Sequence, residues 1–177
     1  MTYIAHSDIA QDGLLTGVKV IDLTHYIAGP YCTKLLATLG AEVIKIERPV
    51  LGDPMRHVGP SLDQIGEDHD IPTQRSREPG AWFLYLNTSK KSLTLDLKNP
   101  QGHEALVKLI ESADILVENF APGVMERLGL SYDILKSINP KLVMTSISNF
   151  GQTGPYRDWK AAEINLYAAG GLMNITG

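Results

Sequence analysis

The sequence has 177 residues, 44% of them hydrophobic and 20% charged, and a net charge of −4. That length can bury a core without covalent staples, and the mild acidity argues against a general binder of nucleic acid or of an anionic membrane, either of which needs a basic field. No apolar stretch nears the roughly 20 residues of a membrane span, the first 13 residues have no charged region followed by an apolar one, and a single cysteine, Cys32, excludes an internal disulfide or a cysteine-built metal site; the expected setting is the cytoplasm.

Residues 1–16 are mixed and aperiodic and are expected to form a flexible lead-in. Residues 18–23 read as a short buried strand. Ala28-Gly29-Pro30 then opens a helix in which Cys32, Leu35, Leu36 and Leu39 recur at helical spacing and predict the core-facing side. Proline suits the first helical position, and Gly40 suits the left-handed stop. Residues 41–46 form the next predicted strand, completing a β-α-β unit. Such a unit crosses over right-handed and buries both faces of its sheet. Residues 49–81 break the pattern with Pro49, Pro54, Pro60, Pro72 and Pro79 and a polar run at 63–77. They predict a long surface loop, of the kind that is usually functional or disordered.

Order returns at 92–97, where alternation predicts a strand. Asn99-Pro100 reads as a cap and first turn opening a helix to Ser112, with Leu106, Leu109 and Ile110 inward and Glu104 four residues before Lys108. A strand at 115–117, a short helix at 123–128, a helix capped by Ser131 and running through Ser137, and a strand at 142–147 follow. The last segment, 161–172, is apolar and small and ends in Gly170-Gly171. Alternating strands and helices predict a Rossmann-like α/β fold around a doubly wound parallel sheet. Gly177 follows the apolar segment with no closing helix, so the expectation is the front part of a larger enzyme, with 17–177 an incomplete large domain.

Dinucleotide binding needs three glycines in the first strand-to-helix turn. The turn here, Thr24 to Pro30, has one, so Glu47, placed like a ribose-binding acid after the second strand, is a weak signal. Arg48 follows it at the strand's C-terminal end, where ligands of open α/β sheets bind and an arginine can fork onto a phosphate; alone it also reads as a solvated surface residue. Asn119-Phe120 follows another strand at the same edge. The pair could offer an adenine a hydrogen-bonding edge and a stacking face, or be a turn asparagine beside a core phenylalanine. Arg127 and Lys160 are further cations or plain surface charge. Glu163 stands alone in its apolar segment, as a helix-end charge or a tuned carboxylate, and the second reading is preferred. His6, His25, His57, His69 and His103 lack metal spacing; His25 lies in the first turn, where a structural role is expected. Cys32 reads as a small core hydrophobe. No Ser–His–Asp or Cys–His signature is present.

Seven segments in order resemble the family III coenzyme A transferases, the family of formyl-CoA and carnitine-CoA transferases and α-methylacyl-CoA racemases. They are Gly17-Val-Lys-Val-Ile-Asp22, Ala28-Gly-Pro30, Gly40-Ala-Glu-Val-Ile-Lys-Ile-Glu-Arg-Pro49, Asn87 to Lys98, Ala113-Asp-Ile-Leu-Val-Glu-Asn-Phe-Ala-Pro-Gly123, Asn139-Pro140 and Ala168-Ala-Gly-Gly171. The resemblance implies the N-terminal part of the large domain of an interlocked-dimer fold, the remainder supplied by the rest of the chain or by a partner chain. It implies that Arg48, Leu95, Lys98, Asn119, Phe120, Arg127 and Lys160 hold CoA. The ligand's phosphates and adenine call for such cations and a flat apolar wall. Where some transferases contact CoA with a glutamine, this chain has Ile27.

The family's transferases work through an aspartate that attacks the acyl-CoA thioester, giving a mixed anhydride and CoA thiolate; the thiolate then attacks the aspartyl group, the first acid leaves as its carboxylate, and a second carboxylic acid takes over the CoA. By the resemblance that aspartate lies beyond Gly177, and Glu163 matches a supporting glutamate near the reaction centre. The expected function is the CoA-binding part of such an enzyme, with acyl-CoA and a carboxylic acid as substrates and no metal. The alternatives are an acyl-CoA racemase, disfavoured because Ala162 stands where racemases tend to place a histidine, and a non-catalytic CoA-binding fragment.

Overall fold

The computed structural model describes residues 13–61 and 79–176. Its order is β1 (Lys19–Asp22), α1 (Ala28–Thr38), β2 (Glu42–Glu47), a 3₁₀ turn (Pro54–His57), α2 (Ala81–Leu86), β3 (Lys91–Thr94), α3 (Pro100–Glu111), β4 (Ile115–Glu118), α4 (Val124–Arg127), α5 (Tyr132–Ile138), β5 (Val143–Ser146), α6 (Glu163–Ala169) and α7 (Leu172–Thr176). All strand pairs are parallel, in the order β3-β2-β1-β4-β5. The predicted doubly wound sheet is therefore present. Its winding reverses between β1 and β4, and a crevice opens there beyond the strands' C-terminal ends.

Both faces are covered over the central strands, as alternate residues of β1 show, while the edge strand β3 is exposed along its length. Ile21 packs with Leu106, Ile110, Leu116 and Leu135 under α3 and α5, while Val20 packs with Ala37, Val43 and Val117 under α1. Helix α3 is capped as expected, the Asn99 side chain accepting from Gln101 N at 3.0 Å, and Glu104 pairs with Lys108 at 2.8 Å. Gly40 (φ 101°) ends α1 in the left-handed region.

Several local expectations change. Helix α1 buries Gly29, Pro30, Thr33 and Ala37, not the predicted stripe: Leu35 and Leu39 are exposed and Cys32 half-buried. Small residues win that face because the helix closes on the β1 turn. A Cβ on Gly29 would lie 2.3 Å from Thr24 Cβ. Pro30 is the third helical residue rather than the first. Ser131 occupies the cap position of α5 without making a side-chain cap bond. The proposed loop at 49–81 is partly ordered and packed: Asp53 and Met55 are buried, Ser61 bridges Gly80, and Ala81 already begins α2. Residues 62–78 of it lie outside the described residues, as do 1–12 of the lead-in; Leu15 N donates to Leu39 O at 2.9 Å, tying the described remainder to the end of α1.

Candidate functional site

The crevice is built on the turns that leave β1 and β4. The Asn119 amide spans the gap: His25 N donates to its Oδ1 and its Nδ2 donates to His25 O, both at 2.8 Å. The two turns are thus tied where the sheet reverses. Both bonds fit the turn-asparagine reading, and they leave the amide one N–H and one oxygen lone pair.

Beneath them lies a buried ionic network. Asp22 accepts from Thr24 N (2.9 Å), Thr24 Oγ1 (2.5 Å), Thr33 Oγ1 (2.6 Å) and Lys90 Nζ (3.0 Å). Burial by itself would raise its pKa, but the charges of Lys45 and Lys90 and the two hydroxyls outweigh burial and hold the carboxyl below its ordinary value. Lys90 also donates to Pro30 O, Thr33 Oγ1 and Asn87 Oδ1 at 2.7–2.9 Å. Burial still lowers it to about 8, against the pull of Asp22. Lys45 pairs with Asp53 at 2.8 Å and donates to Thr24 O at 2.8 Å.

Glu47 is a third anchor. Its carboxylate accepts from Arg56 Nε and Nη2 (2.7 Å each), Ser92 Oγ (2.6 Å) and Asp53 N (3.1 Å). Burial opposes ionisation, yet these donors bring its pKa down to about 2. A carboxylate so occupied has no capacity left for a ribose, which disposes of the dinucleotide signal.

Two cavities flank Phe120. The first, about 410 Å³, is lined by Arg48, Leu95, Lys98 and Phe120 together with His25, Ile46 and Leu128. Four of the predicted residues therefore converge there: two cations, and two apolar side chains forming a wall. The carboxylates at its margin are Glu47, held as described, and Asp96, which accepts from Lys98 N at 3.0 Å. The His25 ring lies 5.8 Å from Phe120. Burial, aided by Lys45 and Arg48, holds its pKa below the ordinary 6.5 despite Asp53, and its buried Nε2 has no hydrogen-bond partner among the described residues. The second cavity, about 700 Å³, is lined by Asn119, Phe120, Lys160, Arg157, Trp159 and Leu166 among others.

Arg127 and Glu163 line neither cavity. Arg127 packs over Gly123, where a Cβ would come within 3.2 Å of its Nη1. Glu163 is an exposed residue in the first turn of α6, a place that favours a negative charge through the helix dipole. Sequence reasoning missed Lys45, Asp53 and Lys90. Lys45 left a readable trace, since it interrupts Val43, Ile44 and Ile46 in a strand paired on both sides and enclosed on both faces. A lysine there must be paired. Among the described residues, no group of three or more His, Cys, Asp or Glu could hold a metal ion.

Residues 15–177 match the model of CoA-transferase family III. The chain is 47% identical over 163 residues to a formyl-CoA:oxalate CoA-transferase of Rhodopseudomonas palustris, covering 92% of this chain and 35% of that one. It is 41% identical over 168 residues to an acyl-CoA transferase of Fusarium pseudograminearum, covering 95% and 36%. Among solved structures it resembles a CAIB/BAIF family protein of Brucella suis, with a TM-score of 0.82 and 38% identity over 94% of this chain and 42% of that one. The chain thus spans about a third of the length of the curated relatives it matches.

Proposed function

The chain belongs to CoA-transferase family III, and on that premise we propose that it forms the CoA-holding part of an enzyme that moves CoA between an acyl-CoA and a carboxylic acid. The observation that carries the reading is the first cavity. Arg48 and Lys98 line it together with the apolar side chains of Leu95 and Phe120. Phosphates need the cations and an adenine needs the wall, and both lie at the crevice where open α/β sheets take their ligands.

Lys160 and Asn119 line the neighbouring cavity on the far side of Phe120. We assign that cavity to the remaining part of the ligand, which leads from the phosphates toward the thioester. Arg127 serves as an outer cation. Glu163 supports the reaction without attacking, and an aspartate outside these residues supplies the nucleophile that forms the anhydride. The names of the relatives make formyl-CoA and oxalate the first donor and acceptor to assay. The working enzyme is read as a cytoplasmic homodimer, or as a pairing with a chain that completes the large domain; among the described residues no helix is long and apolar enough to cross a membrane.

Calorimetry with CoA on the wild-type chain and on Arg48→Ala tests the assignment. Losing a charged hydrogen-bonded contact should cost about 1.5–3 kcal/mol, roughly a 10- to 150-fold loss of affinity. Equal affinity in the two would remove Arg48 from the site.

A further inference from the structure

The turn between β1 and α1 is exposed on one side, yet it adopts a conformation that an L-residue disfavours: Tyr26 has φ 66°. Something must hold it there. The Lys45–Asp53 pair grips the backbone on both sides of His25. Lys45 Nζ donates to Thr24 O at 2.8 Å, and Asp53 Oδ1 accepts from Tyr26 N at 3.2 Å and from Met55 N at 2.9 Å. Asn119 holds the N–H and C=O of His25 itself. The residue that faces the first cavity is thereby fixed from three directions.

The pair lines neither cavity; Lys45 is 1% exposed and Asp53 0%. A buried ion pair is a poor source of stability, because hydrophobic residues of similar volume often serve as well or better. What it supplies here is direction, through hydrogen bonds to two particular backbone groups.

We infer that Lys45 and Asp53 are positioning residues, which set the CoA affinity of the first cavity by holding the backbone of residues 24–26 in one conformation without touching the ligand. The inference rests on the proposed reading of that cavity. It makes the turn preorganised: its geometry exists before CoA arrives, and binding does not have to order it.

Two measurements on the 177-residue chain test this. The first is amide hydrogen exchange at His25 and Tyr26 in the wild type, with and without CoA. Both amides should be protected in the free chain and gain little from CoA. Free exchange at Tyr26 that becomes protected only with CoA overturns the inference, and no variant is required to see it. The second is CoA calorimetry on two double variants that leave no buried charge unpaired. Lys45→Met/Asp53→Ala loses both grips and should bind roughly tenfold more weakly or worse. Lys45→Met/Asp53→Asn keeps an acceptor for Tyr26 N and should recover most of that loss. Equal, wild-type-like affinity in the folded Ala double overturns the inference while leaving the cavity's assignment standing. A wild-type chain that binds no CoA overturns the assignment itself, and the inference with it.

Discussion

Replacing Glu47 with glutamine removes the anion that joins β2 to β3 and to the 3₁₀ turn. The carboxylate accepts four hydrogen bonds, two of them from one guanidinium, and the residue is only 3% exposed. Its pKa falls from an ordinary 4.5 to about 2. At ~1.4 kcal/mol per pKa unit that gap corresponds to about 3 kcal/mol of folding stability. Arg56 is 31% exposed and partly screened by solvent, so about 2 kcal/mol is the working figure. The folded-state pKa is the lower one, so this stability is fully present above pH 4.5 and is lost as pH falls toward about 2. Urea unfolding, followed by the fluorescence of Trp82 and Trp159, measures it. Glu47→Gln should be less stable than wild type by about 2 kcal/mol at pH 7, with the difference shrinking steadily below pH 4.5. A difference that is absent at pH 7, or that does not change between pH 5 and pH 3, would refute the reasoning.

Other consequences can be measured in the same chain. Burial puts Lys90 at about 8 in the folded state against an ordinary 10.5, so the unfolded chain binds more protons between those values; the stability of wild type relative to Lys90→Met should rise from pH 8 to 10.5, and a flat difference contradicts a buried, charged amine. Gly29→Ala drives a Cβ to 2.3 Å from Thr24 Cβ, which should cost about 1–3 kcal/mol in urea unfolding; an unchanged midpoint would mean that α1 does not close on the turn. The 177-residue chain should show no CoA-transferase turnover with formyl-CoA and oxalate, and no acyl-enzyme trapped by hydroxylamine; turnover abolished by Glu163→Gln would instead make Glu163 the nucleophile.

The alternation of strands and helices was legible because each element is short and carries its own punctuation, such as Asn99-Pro100 before α3 and Gly40 after α1. The strand order followed less directly, since nothing local says that β4 returns to pair with β1. Helix α1 was misread for a physical reason. Its buried side is chosen by how closely it approaches the β1 turn, which admits Gly29, Thr33 and Ala37 and leaves Leu35 and Leu39 outside. Helix α2 escaped notice because only Phe83 and Leu86 of its six residues are buried, while Trp82 and Tyr85 are exposed. Strand polarity put Arg48 at the sheet's C-terminal edge, beside the first cavity, but did not by itself tell it from a solvated surface arginine. The ionic network beneath it could not be read at all, because its bonds join residues as far apart as Asp22 and Lys90, 68 positions away in the chain. The same distance problem hid the role of Asn119, whose partner His25 lies 94 positions earlier.

The most direct test of the central claim is an NMR titration of the 177-residue chain with CoA, following backbone and side-chain signals across the sheet's C-terminal edge. Saturable shifts are expected at Arg48, Leu95, Lys98 and Phe120, with further changes reaching Lys160 and little change at the opposite, N-terminal edge near Lys19 and Ile115. Saturable shifts centred instead on the smaller cavity beside Glu118, Glu126 and Tyr132, or no saturable shifts at all, would contradict that claim.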